Sequence, residues 1–343
     1  MSLLKQFIPL SLWKPRGCVP ALESLEAADC VMSKRDMTLP VAGHESPHRL
    51  IVVELMNGRI VGDLRMVATA GDIVVGGLQS LFGCPDPQSH YLLRRKRLRM
   101  LKRWRGTALL LGTANSDNYY HWLLDSVPRW KMLQPVNDRA NYDYVLLPGH
   151  SSPFQDEVLD RLNVPEAKRL HCSKNFIHQF DRLFVPSMPF PLEEVSAWAC
   201  AYVRSLFPEK ATGPEKIYLR RGAGRRQLTN ETELESALKN LGFVSIQPDQ
   251  LSVAEQASQL SSARCVVAPH GAALTNLLFA PPGALLLELF HPQHKNRCYV
   301  NLAAACGHRY ASLDGLPTNQ TGDKELEYHV DVPAVLQVIA ANG

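Results

Sequence analysis

The 343-residue sequence lacks any continuous apolar run of roughly 20 residues, the length that spans a bilayer, so no membrane helix is expected. It also lacks a Cys-x-x-Cys pair. Its eight cysteines are scattered at positions 18, 30, 84, 172, 200, 265, 298 and 306. Cys200 and Cys265 sit inside apolar runs, where a free thiol behaves as a small core residue, and the pattern reads as a reduced, cytosolic protein. The N-terminal MSLLKQFIPLSLWKPRG has a proline in its short apolar part and no small-residue cleavage site, which argues against a signal peptide. G-x-G-x-x-G and Walker A sequences are absent, which excludes the generic dinucleotide and NTP loops. There is no repeat of fixed period and no low-complexity tract. Strong charge of one sign is missing too: the net charge is +4, with 20% charged and 45% hydrophobic residues, an ordinary globular balance that does not call for nucleic acid.

What is present is length enough for two domains and two different patterns. The first hundred residues are β-rich: HRLIVVEL, GRIVGDLRMVA and DIVVGGL are β-branched runs broken by turn signals at Asn57-Gly58 and Ala70-Gly71. From residue 107 strands alternate with helices. TALLLG, YDYVLLPG and DRLFVPS read as strands, with helices expected over YYHWLLDSVPRWKML, Pro153–Leu162 and Leu192–Phe207. PEKATGP, 208–214, has the composition of a linker. Beyond it the alternation resumes through KIYLRR, ETELESALKNLG, FVSIQP, SVAEQASQLSSA, CVVAP, ALTNLLFA and ALLLELF. This pattern predicts parallel sheets covered by helices, in two Rossmann-like domains facing a cleft. The expected divisions are 1–211, 212–325 and a closing helix within 326–343.

Ligands of open α/β sheets bind at the carboxyl ends of strands. At one such end His270-Gly271 turns from CVVAP into a helix, where Gly271 would let backbone approach an anion and His270 could donate to it. The alternative is a tight turn beside a satisfied core histidine. Thr275 and Asn276 lie on that helix. A second strand end carries Arg220, Arg221, Arg225 and Arg226, forks suited to phosphate, with Asn230 placed to cap the next helix. Glu288 closes ALLLELF on the same edge, where a carboxylate could accept ribose hydroxyls, cap a helix or pair with arginine.

In NYYHWLLDSVPRW, His121, Asp125 and Arg129 are spaced four apart, a single polar stripe on a helix. An imidazole oriented by a carboxylate is a workable general base. Asp125 and Arg129 could instead simply pair, and Pro128 predicts a kink. The run RRKRLRMLKRWR, Arg94 to Arg105, holds eight basic residues in twelve. It reads as a solvated helix face, as a contact with an anionic membrane aided by Leu98, Met100, Leu101 and Trp104, or as a nucleic-acid site.

NYYHWLLDSVPRW, YLRRGAGRRQLTNE and LSVAEQASQLSSARCVVAPHGAALTNLLFAPPGALLLELF together resemble glycosyltransferase family 61, over about residues 107–290. The resemblance implies a GT-B-like architecture and an inverting transfer from a nucleotide-sugar donor, UDP-linked, to a glycan or lipid-linked glycan hydroxyl, in a bacterial polysaccharide branch. It implies donor contacts from Arg220, Arg225, Arg226, His270, Gly271 and Ala272, beside which Asn276 and Glu288 are the further donor-side candidates. His121 or Asp125 would be the catalytic base, with Asn118, Tyr119 and Arg129 on the acceptor side. Arg221-Gly222 departs from the family pattern. No cofactor and no metal are expected, and the sequence contains no Asp-x-Asp. The expected location is cytoplasmic, peripheral at the membrane. A nucleotide-sugar epimerase and a nucleic-acid-binding protein are the rival readings.

Overall fold

The computed structural model describes residues 8–13, 17–19, 31–36, 50–64, 66–71, 73–75, 99–134, 141–190, 194–208, 213–221, 226–318 and 327–342. Its contacts divide the chain into two compact units, 1–192 and 193–343. The helix expected over Leu192–Phe207 is counted with the second.

The first unit is built on one large sheet. Its strands are β1 (Ile8–Trp13), β2 (Gly17–Val19), β3 (Val31–Asp36), β4 (Ile51–Met56), β5 (Arg59–Val61), β6 (Met66–Ala68), β7 (Ile73–Val75), β8 (Arg99–Leu110), β9 (Tyr144–Leu147), β10 (Arg169–His171) and β11 (Phe176–Pro186). β8 and β11 run parallel for most of their length and join two halves. On one side β9 and β10 extend the parallel part, giving the order β10-β9-β8-β11. On the other, β5, β6 and β7 form an antiparallel meander on the first half of β11, while β4 pairs with its second half. The joint is marked at Gly106, at φ +105°, which L-residues rarely adopt. There the Gly106 amide donates to Asp181 (2.9 Å), the Thr107 amide donates to Asp143 (2.8 Å), and the β8–β11 register slips.

Residues 99–105 of the basic run are therefore strand rather than helix. Arg99–Arg105 form the first half of β8, and 94–98 lie outside the described residues. Leu101 is buried in the core, and Trp104 packs against Tyr144, His178 and Phe180. The apolar residues assigned to a membrane contact are thus partly spent on the sheet, while Arg103 and Arg105 face solvent. β-pairing won over the charge pattern because the strand finds partners on both edges.

After β8 the chain enters a π-helical turn, His121–Ser126, then α1 (Val127–Leu133). Pro128 has no N–H and would clash with the carbonyl four residues back. The wider turn absorbs this, with the Val127 amide donating to Trp122 O, five residues back. α2 (Pro153–Arg161) starts with a capping box from Ser152 and Gln155.

The second unit is a five-stranded parallel sheet: β12 (Lys216–Leu219), β13 (Val244–Ile246), β14 (Cys265–Pro269), β15 (Leu285–Phe290) and β16 (Arg309–Asp314), in the order β13-β12-β14-β15-β16. All six residues of β15 are buried, as expected of a strand covered on both faces. Tyr218, Val267, Leu287 and Leu289 pack against Leu234 and Leu238 of α4 (Glu231–Asn240) and Val335 and Ile339 of the C-terminal helix, Val332–Asn342. The remaining helices are α3 (Ala197–Ser205), α5 (Val253–Leu260), α6 (Cys298–Cys306) and α7, the C-terminal one. ALTNLLFA, expected as a helix, falls almost wholly within a 3₁₀ helix, Ala272–Phe279. Among the described residues no helix is long and apolar enough to cross a membrane.

Candidate functional site

In chain order the second sheet reads 2-1-3-4-5, so connections leave β12 and β14 in opposite directions. In open sheets of this order, ligands bind outside the carboxyl ends of these two strands. Arg220 and Arg221 follow β12, and His270-Gly271 follow β14: two of the sequence corners meet at this point.

Their roles differ from expectation. Arg220 turns away and pairs with Glu231 (3.7 Å) and Glu235 (3.1 Å) of α4. Arg221, the residue that departs from the family pattern, donates from Nη1 to the carbonyl of His270. Gly271 has extended backbone, so its value is space: a Cβ there would stand 2.6 Å from Arg221 Nη1. Arg226 sits at φ +64°, an uncommon conformation for a side-chain-bearing residue, and its charge acts on His291, His294, Tyr299 and Tyr328. Arg225 lies outside the described residues.

The His270 imidazole is built into the scaffold. Nδ1 lies 2.5 Å from Oε1 of Glu288, whose Oε2 accepts from the Tyr310 hydroxyl at 2.7 Å. Asn296 fixes the tautomer. Its Oδ1 accepts from the Cys298 amide (3.0 Å), so its Nδ2 faces His270 Nε2 (3.0 Å) and donates to it. Nδ1–H then belongs to Glu288, and in this arrangement Nε2 has no hydrogen to give a phosphate. The ring stacks on Phe290 at 5.1 Å. Glu288 is fully buried with both oxygens engaged, so it does not reach out to a ribose; a buried carboxylate is tolerable only with such donors. The hydroxyls of Tyr310 and Tyr299 are held protonated, first by burial and also by the Glu288 charge.

Ala272 opens the 3₁₀ segment. Thr275 and Asn276 are buried behind it, with Asn276 donating to Gln256 at 2.6 Å, which makes them supports of the corner rather than its surface. Asn230 stands before α4, but its side chain ties to the backbone of Val330 instead of capping the helix.

The loop after β15 adds what sequence reasoning missed. In HPQHKN the His294 amide donates to His291 O (2.9 Å), which turns the chain back over the edge, and the His294 ring comes 5.4 Å from that of His270. Its position directly after the buried strand ALLLELF is the signal that could have revealed it.

The first unit has its own polar corner, at the carboxyl end of β8. His121 Nδ1 and Asp125 Oδ2 are 2.7 Å apart, with His121 half-buried and Asp125 nearly buried. Behind them Ser116 Oγ lies 2.6 Å from Ser126 Oγ, and Gln155 donates to Ser116 O (2.6 Å), which fixes the π-helical turn to the β8 loop. Asn118 is exposed and its Oδ1 accepts from the Tyr120 amide. Tyr119 is half-buried against Phe154, its hydroxyl held protonated by burial and then by Glu157. Arg129, expected on the acceptor side, is fully buried instead. Its guanidinium donates to the carbonyls of Gly112 (2.9 Å) and Pro186 (2.5 Å), tying the ends of β8 and β11 together. Burial, opposed by the Asp125 charge, brings its pKa down to about 9.

A parallel sheet of this order, with arginines and histidines gathered at its switch point, defines a Rossmann-like unit suited to an anionic ligand. The chain belongs to glycosyltransferase family 61: the family model described as Glycosyltransferase 61 matches residues 119–287 and so spans both corners. Similar stretches occur in the EGF domain-specific O-linked N-acetylglucosamine transferases of Gallus gallus, 32% identical over 97 residues, and Drosophila melanogaster, 34% over 100. Those stretches are 27% and 28% of this chain but only 18% and 19% of the relatives, so the match spans about a fifth of their length.

Proposed function

We propose that the protein is an inverting glycosyltransferase that moves a sugar from a UDP-sugar to a glycan hydroxyl, with the two units in a GT-B-like arrangement. The observation that carries the reading is the meeting of Arg221, Arg226 and the His270 corner at the β12/β14 switch point. These cations would hold the diphosphate and stabilise the charge that grows on it as the glycosidic C1–O bond breaks. With Nδ1–H given to Asp125, His121 Nε2 is the nitrogen that can take the acceptor's proton. The acceptor oxygen then bonds to C1 from the face opposite the leaving diphosphate, which inverts the anomeric centre. The relatives' name makes N-acetylglucosamine the first sugar to test. A lipid-linked acceptor of bacterial polysaccharide synthesis fits the same chemistry, with Arg103 and Arg105 available to an anionic surface.

The test is a thermal-shift screen against UDP, GDP, CMP and their sugar conjugates, with EDTA or with magnesium or manganese. It is followed by turnover assays of His121→Ala and Asp125→Asn. The expected result is a shift with one nucleotide class that survives EDTA, and variants that keep that shift while turnover falls at least a hundredfold, roughly the lower bound of a general-base contribution. Silence across the panel refutes donor binding, and near-normal turnover in both variants refutes the base assignment.

A further inference from the structure

Asn118 has no part in the mechanism above, yet its bonds bracket His121. Residues 119 and 120 are helical, the π-helical turn follows, and Asn118 stands directly before them as the helix cap. Its backbone carbonyl accepts from the Trp122 amide (2.8 Å), and its Oδ1 accepts from the Tyr120 amide (2.9 Å). Those are the residues on either side of His121. An asparagine before a helix commonly satisfies an early amide in this way. Because an N–H needs an acceptor, the atom facing Tyr120 is Oδ1, and Nδ2 is the half of the amide that the cap does not use. Asn118 is itself held by its own amide, which donates to Asn115 O at 2.9 Å. Two residues earlier, Ser116 Oγ accepts from the Thr113 amide (2.6 Å) and lies 2.6 Å from the Oγ of Ser126, the residue after Asp125. One short loop, 113–118, thus fixes both ends of the His121–Asp125 pair. Tyr120 and Trp122 are both buried, so the backbone between them has little freedom once the cap is made.

Resting on the transferase reading above, we propose that Asn118 is a positioning residue for His121, acting through the helix cap and not through contact with the acceptor. The cap sets the first turn, and the first turn sets the direction of the His121 ring. The 2.7 Å contact with Asp125 then assigns Nδ1–H to the carboxylate and leaves Nε2 as the basic nitrogen. Without the cap the Tyr120 amide loses its acceptor, the turn loosens and the pair lengthens. Proton transfer needs hydrogen-bond reach, and a misplacement of about 1 Å costs about a hundredfold in rate. The family resemblance sets Asn118 on the acceptor side. The cap gives it a different task, carried by Oδ1 and independent of which acceptor binds.

The test uses the full chain and three substitutions that separate the two halves of the side chain. Asn118→Ser keeps a capping oxygen and has no amide. Asn118→Gln keeps the amide, but its extra methylene takes the oxygen out of capping reach, and Asn118→Ala has neither. The first readout is the His121 Nδ1–H resonance in histidine-labelled protein, assigned by its loss in His121→Ala, and its rate of exchange with water. The second is hydrolysis of UDP-N-acetylglucosamine, with water standing in for the acceptor hydroxyl. There the C1–O bond to the diphosphate breaks, a bond from C1 to the water oxygen forms, and the water proton goes to His121. The third is the thermal shift with the nucleotide. Asn118→Ser is expected to match wild type in all three. Asn118→Ala and Asn118→Gln should exchange the proton faster and hydrolyse at least about tenfold more slowly, with the thermal shift kept. An undisturbed proton and turnover in Asn118→Ala overturns the inference. So does turnover lost in Ser and Ala but kept in Gln, because Nδ2 then meets the acceptor directly. Loss of the thermal shift in Asn118→Ala overturns it too, since the damage is then not confined to the base. If wild type leaves this sugar intact, the proton decides: faster exchange in Ala and Gln but not in Ser supports the cap, and equal exchange overturns it. If no nucleotide conjugate binds, the transferase reading falls by itself and takes the catalytic role of the cap with it.

Discussion

Glu288 gives the sharpest test of the buried scaffold under the donor corner. It is wholly inaccessible to solvent, and its two oxygens take Nδ1–H of His270 at 2.5 Å and the Tyr310 hydroxyl at 2.7 Å. Removing the carboxylate alone has an ambiguous outcome, because loss of a buried charge offsets loss of its bonds. A double-mutant cycle removes the ambiguity. In wild type, Tyr310→Phe deletes one bond to a charged acceptor, a loss of about 1.5–3 kcal/mol. In a Glu288→Leu background the tyrosine hydroxyl has lost its acceptor, so Tyr310→Phe should cost nothing or even gain. The coupling is therefore expected at about 1.5 kcal/mol or more, well above the roughly 0.5 kcal/mol seen for independent sites. Native-state hydrogen exchange at the amides of Val267 and Leu287, in the central strands β14 and β15, reads the stability of the second unit by itself. If Tyr310→Phe costs the same in both backgrounds, the buried chain from Tyr310 through Glu288 to His270 is not a coupled unit and the reasoning fails.

Two further predictions rest on other parts of the structure. Gly271→Ala places a Cβ 2.6 Å from Arg221 Nη1, and since the obstructing atom ends a flexible side chain, the fold should survive. Donor affinity should nonetheless drop about tenfold as Arg221 is displaced, the roughly 1.4 kcal/mol of a charged hydrogen bond; unchanged affinity beside an unchanged melting temperature would remove Arg221 from the site. The second concerns His178, which accepts from Trp104 Nε1 at 3.0 Å and is held down at about 4, by burial and then by Lys102. Its ordinary value in the unfolded chain is about 6.5, so between these values the unfolded state binds more protons. The stability it contributes is complete above about 6.5 and is lost as pH falls toward 4, amounting to about 2 kcal/mol by pH 5. Urea midpoints from pH 7 to 5 should fall less steeply in His178→Phe than in wild type, and parallel slopes would refute the assignment.

The sequence by itself determined the alternation of the second unit, because strands covered on both faces, such as LLLELF and CVVAP, must be continuously apolar and the helices between them amphipathic. It also placed the polar residues at strand ends, where an α/β sheet leaves room for a ligand, and it carried the family pattern from Tyr119 to Leu287. His121 and Asp125 were legible as a pair because helical spacing alone puts them on one face, and the π-helical turn that Pro128 brings about did not separate them. Which arginine meets the corner was not legible. Arg220 and Arg221 are adjacent on the chain, and only the position of α4, with Glu231 and Glu235, draws the first away and leaves the second to His270. The burial of Glu288 and Arg129 was equally hidden, since a charge at a strand end or on a helix reads as exposed until its donors or acceptors arrive from elsewhere in the chain. Tyr310 and His270 supply them for Glu288, and the carbonyls of Gly112 and Pro186 for Arg129. Residues 99–105 of the basic run became a strand for the same reason. Local pattern sets what a segment can do, but an edge that finds a backbone partner, or a charge that finds a counterpart, is settled only when distant parts of the chain are packed together.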